Sequence, residues 1–403
     1  MKKVVSAILC IALLAGLVTA LFGCNKTPRE EILKLYMPGE YIDEDIFEEF
    51  ENWYQENYGK KVTVQLETFD AVEDIQLAVE GSKADYDLLC PSDYMVEYLI
   101  SKNLVLESGM DITANGLFRD EYVATARQFD PTLKYAVPYM YGTLGLVYDI
   151  TKTNGKKLDS WESLFGSEFS GKRSVKDSVR DAYAAACLYN KRGETAGLTG
   201  EAQKAAIQAI FEDTSAATVN AAKSTLLSVK NGSEWDVDNV KYEMAAKQTS
   251  VAVALMWSCD AGYVMNTYED EDGNEHEGNH DLWYVVPKEG GNVYIDAFVI
   301  SKYAVNVDAA RAFLQFLCSK DVAVKNSEYA GAISPVAAAY EELYAYYTED
   351  EDGLFSEEDV ANGWKDMFLE TMFPSVATLN RCGVMKDFGS GKSAVTEMWS
   401  SIQ

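Results

Sequence analysis

The chain has 403 residues, with 64 Asp and Glu against 35 Lys and Arg, for a net charge of −29. So acidic a surface repels a phosphate backbone and excludes nucleic acid as a partner. The length exceeds the roughly 250 to 300 residues at which one core stops growing, so two lobes are expected.

Lys2 and Lys3 precede an apolar run from Val4 to Phe22 that stops at Gly23-Cys24 and then turns polar. A positive flank, a short apolar core and a small residue before a cleavage point make a secretory leader. Leu21-Phe22-Gly23-Cys24 resembles the bacterial lipobox, which implies that residues 1–23 are removed and that Cys24 becomes the lipidated first residue. Losing Lys2 and Lys3 takes the net charge from −29 to −31. No later apolar run has the roughly 20 residues a span needs, so a soluble body tethered to the outer face of a membrane is expected, working on something extracytoplasmic.

After a polar tether over 24–31, Ile32 to Tyr36 reads as a buried strand. Ile46, Phe47, Phe50, Trp53 and Tyr54 then recur at helical spacing. Val62, Val64 and Leu66 alternate as a strand does, and a helix is expected near Val72 to Val79. Tyr86 to Cys90 is a short apolar run closed by Pro91-Ser92, followed by Tyr94, Met95, Tyr98 and Leu99 at helical spacing. Alternating strands and helices imply a mainly parallel sheet with covered faces, whose ligands lie beyond the carboxyl ends of the strands. That rule points at Tyr41, Ser92 and Tyr94.

Ala136 to Tyr148 is almost entirely apolar, with Gly142 and Gly145 inside it, and suits a strand crossing between lobes with close backbone approach. Ala182 to Val229 is Ala-rich and helical in pattern, Val251 to Met256 reads as a strand ending at Trp257, and Val293 to Ile300 is a strand carrying Tyr294 and Asp296. Ala304 to Leu317 returns to helical period, and the tail beyond Ala337 adds helices broken by the acidic loop Glu349 to Gly353.

The two histidines fall as His276-Glu277-Gly278-Asn279-His280, which matches the His-Glu-x-x-His pattern of zinc proteases. That chemistry needs both histidines on one face of a buried helix with the Glu as base. Here Gly and Asn interrupt the motif beside an acidic stretch from Glu269 to Asp272, so a surface hairpin is the better reading. The acidic stretches Glu269 to Asp272 and Glu349 to Asp352 lack the ligand spacing of a calcium loop and read as solvated loops. Cys90, Cys187, Cys259, Cys318 and Cys382 form no Cys-x-x-Cys and no even framework, and no phosphate loop or Gly-x-Ser-x-Gly is present. Asp177 and Asp181, either side of Arg180, serve acid and base roles or cap a helix.

What remains is a set of aromatic and polar residues at expected strand ends: Tyr41, Ser92, Tyr94, Tyr141, Asp181, Trp257, Tyr294 and Asp296. Aromatic faces and carboxylates suit ammonium groups on an alkyl chain, through cation–π contact and charge-assisted hydrogen bonds.

Tyr36-Met37-Pro38-Gly39-Glu40-Tyr41-Ile42, Tyr86-Asp87-Leu88-Leu89-Cys90-Pro91-Ser92-Asp93-Tyr94, Val137-Pro138-Tyr139-Met140-Tyr141-Gly142 and Pro287-Lys288-Glu289-Gly290-Gly291 resemble spermidine/putrescine-binding lipoproteins of ABC importers. Order and spacing match over nearly the whole mature chain. The resemblance implies an α/β fold of the two-lobe periplasmic-binding-protein type, with a mainly parallel sheet in each lobe and a polyamine in the cleft between them. The first lobe takes 32–137 with about 292–340, and the second takes 138–291 with about 341–403. It implies a monomer that hands its ligand to a membrane permease whose ATPase subunits are separate, and neither catalysis nor a cofactor nor a metal.

Residue by residue, Tyr41, Ser92 and Tyr94 match family contacts in the first lobe, Trp257 matches an aromatic along the methylene chain, and Asp296 matches the amine-binding carboxylate. Asp181 stands for a glutamate and Tyr294 for a frequent tryptophan. Pro38 replaces a tryptophan, Ser178 an acidic contact, and Ala332 and Met385 a tyrosine and a glutamine. An unpaired buried ammonium costs several kcal/mol, so either fewer amines are bound or another acid substitutes, for which Asp93 is the candidate. The alternatives are a different small amino compound or organic acid in the same fold, with Arg180 serving a carboxylate, and a secreted zinc metallopeptidase built on His276 and His280.

Overall fold

β1 (Ile32–Pro38) pairs in parallel with β2 (Thr63–Phe69) and with β3 (Leu88–Leu89). In this computed structural model the described residues are 27–403 apart from 70, 237–238, 270–273 and 351; the leader 1–23 and Cys24 lie outside them. Between β1 and β2 runs α1 (Asp45–Tyr58), which buries Ile46, Phe50 and Tyr54, each four residues from the last, against the sheet. It stops at Gly59, whose φ of +66° closes the last turn in the left-handed region that glycine adopts without strain. The helix expected near Val72 to Val79 is Glu73–Gln76, loosening into a wider turn over Leu77–Gly81. α2 (Asp93–Ser101) and β4 (Val105–Leu106) complete this part of the sheet.

β5 (Val137–Asp149) is buried along all of its 13 residues. Its glycines are there because rings need their space: a Cβ on Gly142 would overlap Tyr294, and one on Gly145 would overlap Tyr284. The second half of the sheet contains β6 (Arg173–Lys176), followed by α3 (Val179–Asn190), then β7 (Glu234–Asp236) and β8 (Val253–Trp257), with β6 parallel to both β7 and β8. The Ala-rich stretch is four helices, α3, the single turn Arg192–Thr195, Gly200–Glu212 and Ala216–Lys230. β9 (Tyr268–Glu269) and β10 (Glu275–His276) form a separate antiparallel hairpin.

β11 (Leu282–Val285) adds to β5, and β12 (Gly291–Ser301) runs through the middle, with β13 (Cys382–Gly383) beside it. The order is β2-β1-β3-β12-β5-β8-β6-β7. β12 pairs with β5 from Asn292 to Phe298 and with β3 and β4 from Val299 to Ser301, so it joins the two halves. The protein is a mixed α/β two-lobe fold. Parallel pairing is confined to β1-β2-β3, β6-β7-β8 and β12-β13, whereas β5 and β12 pair antiparallel. The reason is topological: parallel neighbours need helical crossovers within each half of the sheet, while β5 and β12 link the two halves in opposite directions.

The helix Val307–Leu317 lays Phe313 against Phe298 and Phe50 in edge-to-face contacts, all three nearly inaccessible. Each such ring contributes on the order of 1.5–3 kcal/mol of burial. Among the described residues all five cysteines are free thiols, and no helix is long and apolar enough to cross a membrane.

Candidate functional site

At Asp296 the register between β12 and β5 slips, because Asp296 faces Met140 while Ala297 already faces Pro138. The extra residue, Tyr139, is a bulge, a device that re-aims side chains near sites. Asp296 there turns to the first lobe, forming a bridge with Ser92. Its carboxylate accepts from the Ser92 hydroxyl at 2.6 Å and from the Tyr41 hydroxyl at 2.8 Å. Tyr41 is itself set by Tyr139, whose hydroxyl donates to the Tyr41 carbonyl at 2.7 Å.

Ser92 opens α2 without capping it, since its hydroxyl is committed to Asp296, and Asp93 takes over by accepting the Tyr94 N–H at 2.7 Å. Burial raises the pKa of Asp296, and the Ser92 and Tyr41 hydrogen bonds pull only part of the way back. No cation pairs with this carboxylate among the described residues.

Side chains on a strand alternate between faces, so Tyr294 shares the Asp296 face of β12 and Ile295 takes the other. The Tyr294 hydroxyl lies 3.0 Å from Cys259 Sγ, and its ring meets Trp257 edge-on at 6.4 Å. Trp257 ends β8, and its indole lies close enough to Asp181 on α3 to favour the ionised carboxylate. Burial raises the Asp181 pKa, opposed by the charge of Lys176 and by Ser178 and Trp257. Lys176, ending β6, puts Nζ 3.5 Å from the centre of the Trp257 ring and 3.4 Å from Asp260 Oδ2. Lys241 reaches the other Asp260 oxygen at 2.9 Å. Burial works against ionisation of Asp260, but the two ammonium groups outweigh it and hold its pKa below the ordinary carboxylate value.

The structure thus brings together Tyr41, Ser92 and Asp296 at one end and Asp181, Trp257 and Tyr294 at the other. Three expected site residues lie elsewhere. Tyr141 pairs with Ile295, which puts it on the opposite face from Asp296, where it stacks on Tyr122 at 3.9 Å and donates to the Met372 carbonyl. The Tyr94 ring is covered by the Arg180 guanidinium at 3.4 Å, and its hydroxyl turns to Glu73. Asp93 is buried on the backbone at the start of α2, where desolvation and the nearby Asp296 charge raise its pKa.

Arg180 is enclosed by groups of the protein itself. It lies between Tyr94 and Phe388, donates to the Lys386 carbonyl at 2.8 Å and approaches Glu73 at 3.7 Å. Lys386 also pairs with Glu97 at 3.0 Å, so segments far apart in the chain meet here. Ser178 caps α3, Ala332 is buried, and Met385 packs by Arg180 and Phe388.

The His-Glu-x-x-His motif spans the end of a hairpin strand and the turn after it, not a helix. His280 stacks on Trp364 at 4.0 Å and contacts Asp359 at 3.0 Å, an arrangement that serves packing. Among the described residues no three His, Cys, Asp or Glu side chains converge as metal ligands.

Sequence reasoning missed Lys176, Lys241 and Asp260. Lys176 had a usable signal: a lysine closing a buried strand just before a helix lies at a carboxyl strand end, as Trp257 does.

The family model described as bacterial extracellular solute-binding protein matches residues 45–355. A putrescine/agmatine-binding protein of Pseudomonas aeruginosa is 25% identical over 289 residues, covering 69% of this chain and 72% of that protein. The spermidine/putrescine-binding periplasmic protein of Escherichia coli is 22% identical over 381 residues, covering 92% and 95%. Among solved structures, the spermidine/putrescine ABC transporter substrate-binding protein PotD from Streptococcus pneumoniae superposes with a TM-score of 0.64 at 23% identity, over 93% of this chain and 100% of that one, a likeness of fold.

Proposed function

The chain belongs to the bacterial extracellular solute-binding protein family, and from that premise we propose that it captures a polyamine of the putrescine/spermidine class outside the cytoplasm and delivers it to an ABC importer. The observation that carries this reading is the Asp296 carboxylate, held by the Tyr41 and Ser92 hydroxyls at the strand joining the lobes, with no cation of its own among the described residues. A partly buried carboxylate whose pKa is raised by desolvation is a receptor for a positive charge. Tyr294 and Trp257 supply apolar and π surface for the carbon chain.

The relatives named for putrescine, agmatine and spermidine support the ligand class. In this reading the protein acts without catalysis, as a monomer, and ATP is hydrolysed by the importer's own subunits. Cys24 carries the lipid that holds it at the membrane, and the lobes divide as 32–137 with about 292–340 and 138–291 with about 341–403. With the Tyr94 ring covered by Arg180, this reading uses fewer contacts than the resemblance implies.

Calorimetric titration of the purified protein with putrescine, spermidine, spermine and a panel of amino acids tests the proposal. Saturable heat with at least one of the amines is expected. Silence from all three, or tighter binding of an amino acid, would overturn it.

A further inference from the structure

The second-lobe end of the site already contains a cation. Lys176 is 2% exposed, yet its ammonium stands over the Trp257 ring at 3.5 Å, with Asp260 at 3.4 Å. That is the position in which an aromatic wall holds an ammonium. Asp260 is shared between Lys176 and Lys241 and compensated by them, and Asp181 lies within the field of Lys176, which opposes the effect of its burial without cancelling it. At the other end, the side-chain partners of the Asp296 carboxylate among the described residues are the two hydroxyls of Tyr41 and Ser92.

We propose that Lys176 is a specificity-determining residue: its ammonium fills the Trp257 face as a resident cation, so the cleft accepts a short diamine anchored on Asp296 and rejects a longer polyamine whose further ammonium needs the same ring. Two ammonium groups on one ring repel each other in a half-buried site more strongly than the ring attracts either. The inference rests on the amine-binding reading above.

The test is titration of wild-type protein, Lys176→Met and Lys176→Arg with putrescine and with spermidine. Wild type is expected to bind putrescine at least about tenfold more tightly than spermidine. Lys176→Met should shrink or invert that ratio by about tenfold, because the vacated ring can take a ligand ammonium, while Lys176→Arg should keep it. Lys241 still neutralises Asp260 in the Met variant; should that variant fail to fold, the wild-type ratio and the Arg variant decide. A wild type that prefers spermidine, or a ratio unmoved by Lys176→Met, overturns this inference alone. A folded wild type that binds neither amine overturns the amine-binding reading and this inference with it.

Discussion

The two ends of the site solve opposite electrostatic problems. At the first-lobe end Asp296 has dipoles from Tyr41 and Ser92 but no counter-charge among the described residues, so its ionised form is held at a cost that a ligand cation relieves. At the second-lobe end Lys176, Lys241 and Asp260 compensate one another and Asp181 is drawn into the same field. One end is prepared for an incoming charge and the other is complete in itself. Binding energy and folding energy are therefore expected to respond to different substitutions, although both ends lie in one cleft.

The largest effect comes from breaking the complete end. Asp260→Ala takes a shared carboxylate from two largely buried ammonium groups and should cost about 3 kcal/mol of stability, read from denaturant unfolding. A loss under about 1 kcal/mol would mean that groups other than Asp260 compensate the lysines.

Next is the prepared end. Asp296→Ala should lose at least about 2 kcal/mol of amine binding by calorimetry. Without ligand, Asp296→Asn should raise the melting temperature at neutral pH. The sign follows from the raised pKa: a carboxylate whose folded pKa lies above its unfolded value stabilises the fold when protonated, and that contribution is lost as pH rises through the folded pKa. Near-native binding by Asp296→Ala would remove Asp296 as the anchor.

Ser92→Ala removes one of the two hydroxyls on that carboxylate and should cost about 1 kcal/mol of binding, leaving the fold nearly unchanged because Ser92 does not cap its helix.

A graded effect of pH should accompany these. A bound ammonium lowers the Asp296 pKa, so affinity is full above the raised value of the empty site and falls as pH drops through it toward the ordinary carboxylate range. Calorimetry in buffers of different ionisation enthalpy should show proton release in that window. An affinity that does not change on acidification would separate binding from Asp296.

The smallest change is expected from Asp93→Asn, less than about 0.5 kcal/mol of binding, because the amide oxygen still accepts the Tyr94 N–H. A large loss would restore Asp93 as an amine contact.

Much of this is legible in the sequence. Strand alternation at Tyr294 and Asp296, the strand end at Trp257 and the turn at Pro91-Ser92 are local patterns, and each lies where the pattern put it. Tyr141 was misread because two strand residues that look alike in sequence face opposite sides once β5 is paired to β12. Tyr94 was misread because its covering group, Arg180, lies 86 residues away on another helix.

The sequence alone determined the alternation of strands and helices, the two-lobe class and the carboxylate and aromatics at strand ends, because periodicity and turn chemistry act over a few residues. The tertiary structure decided the charge state of the cleft. Whether a lysine is a solvated surface group or a resident cation on an indole depends on strands β6 and β8 ending side by side, 81 residues apart in the chain. Coulomb interaction and desolvation depend on distance in space, and distance along the chain does not report it.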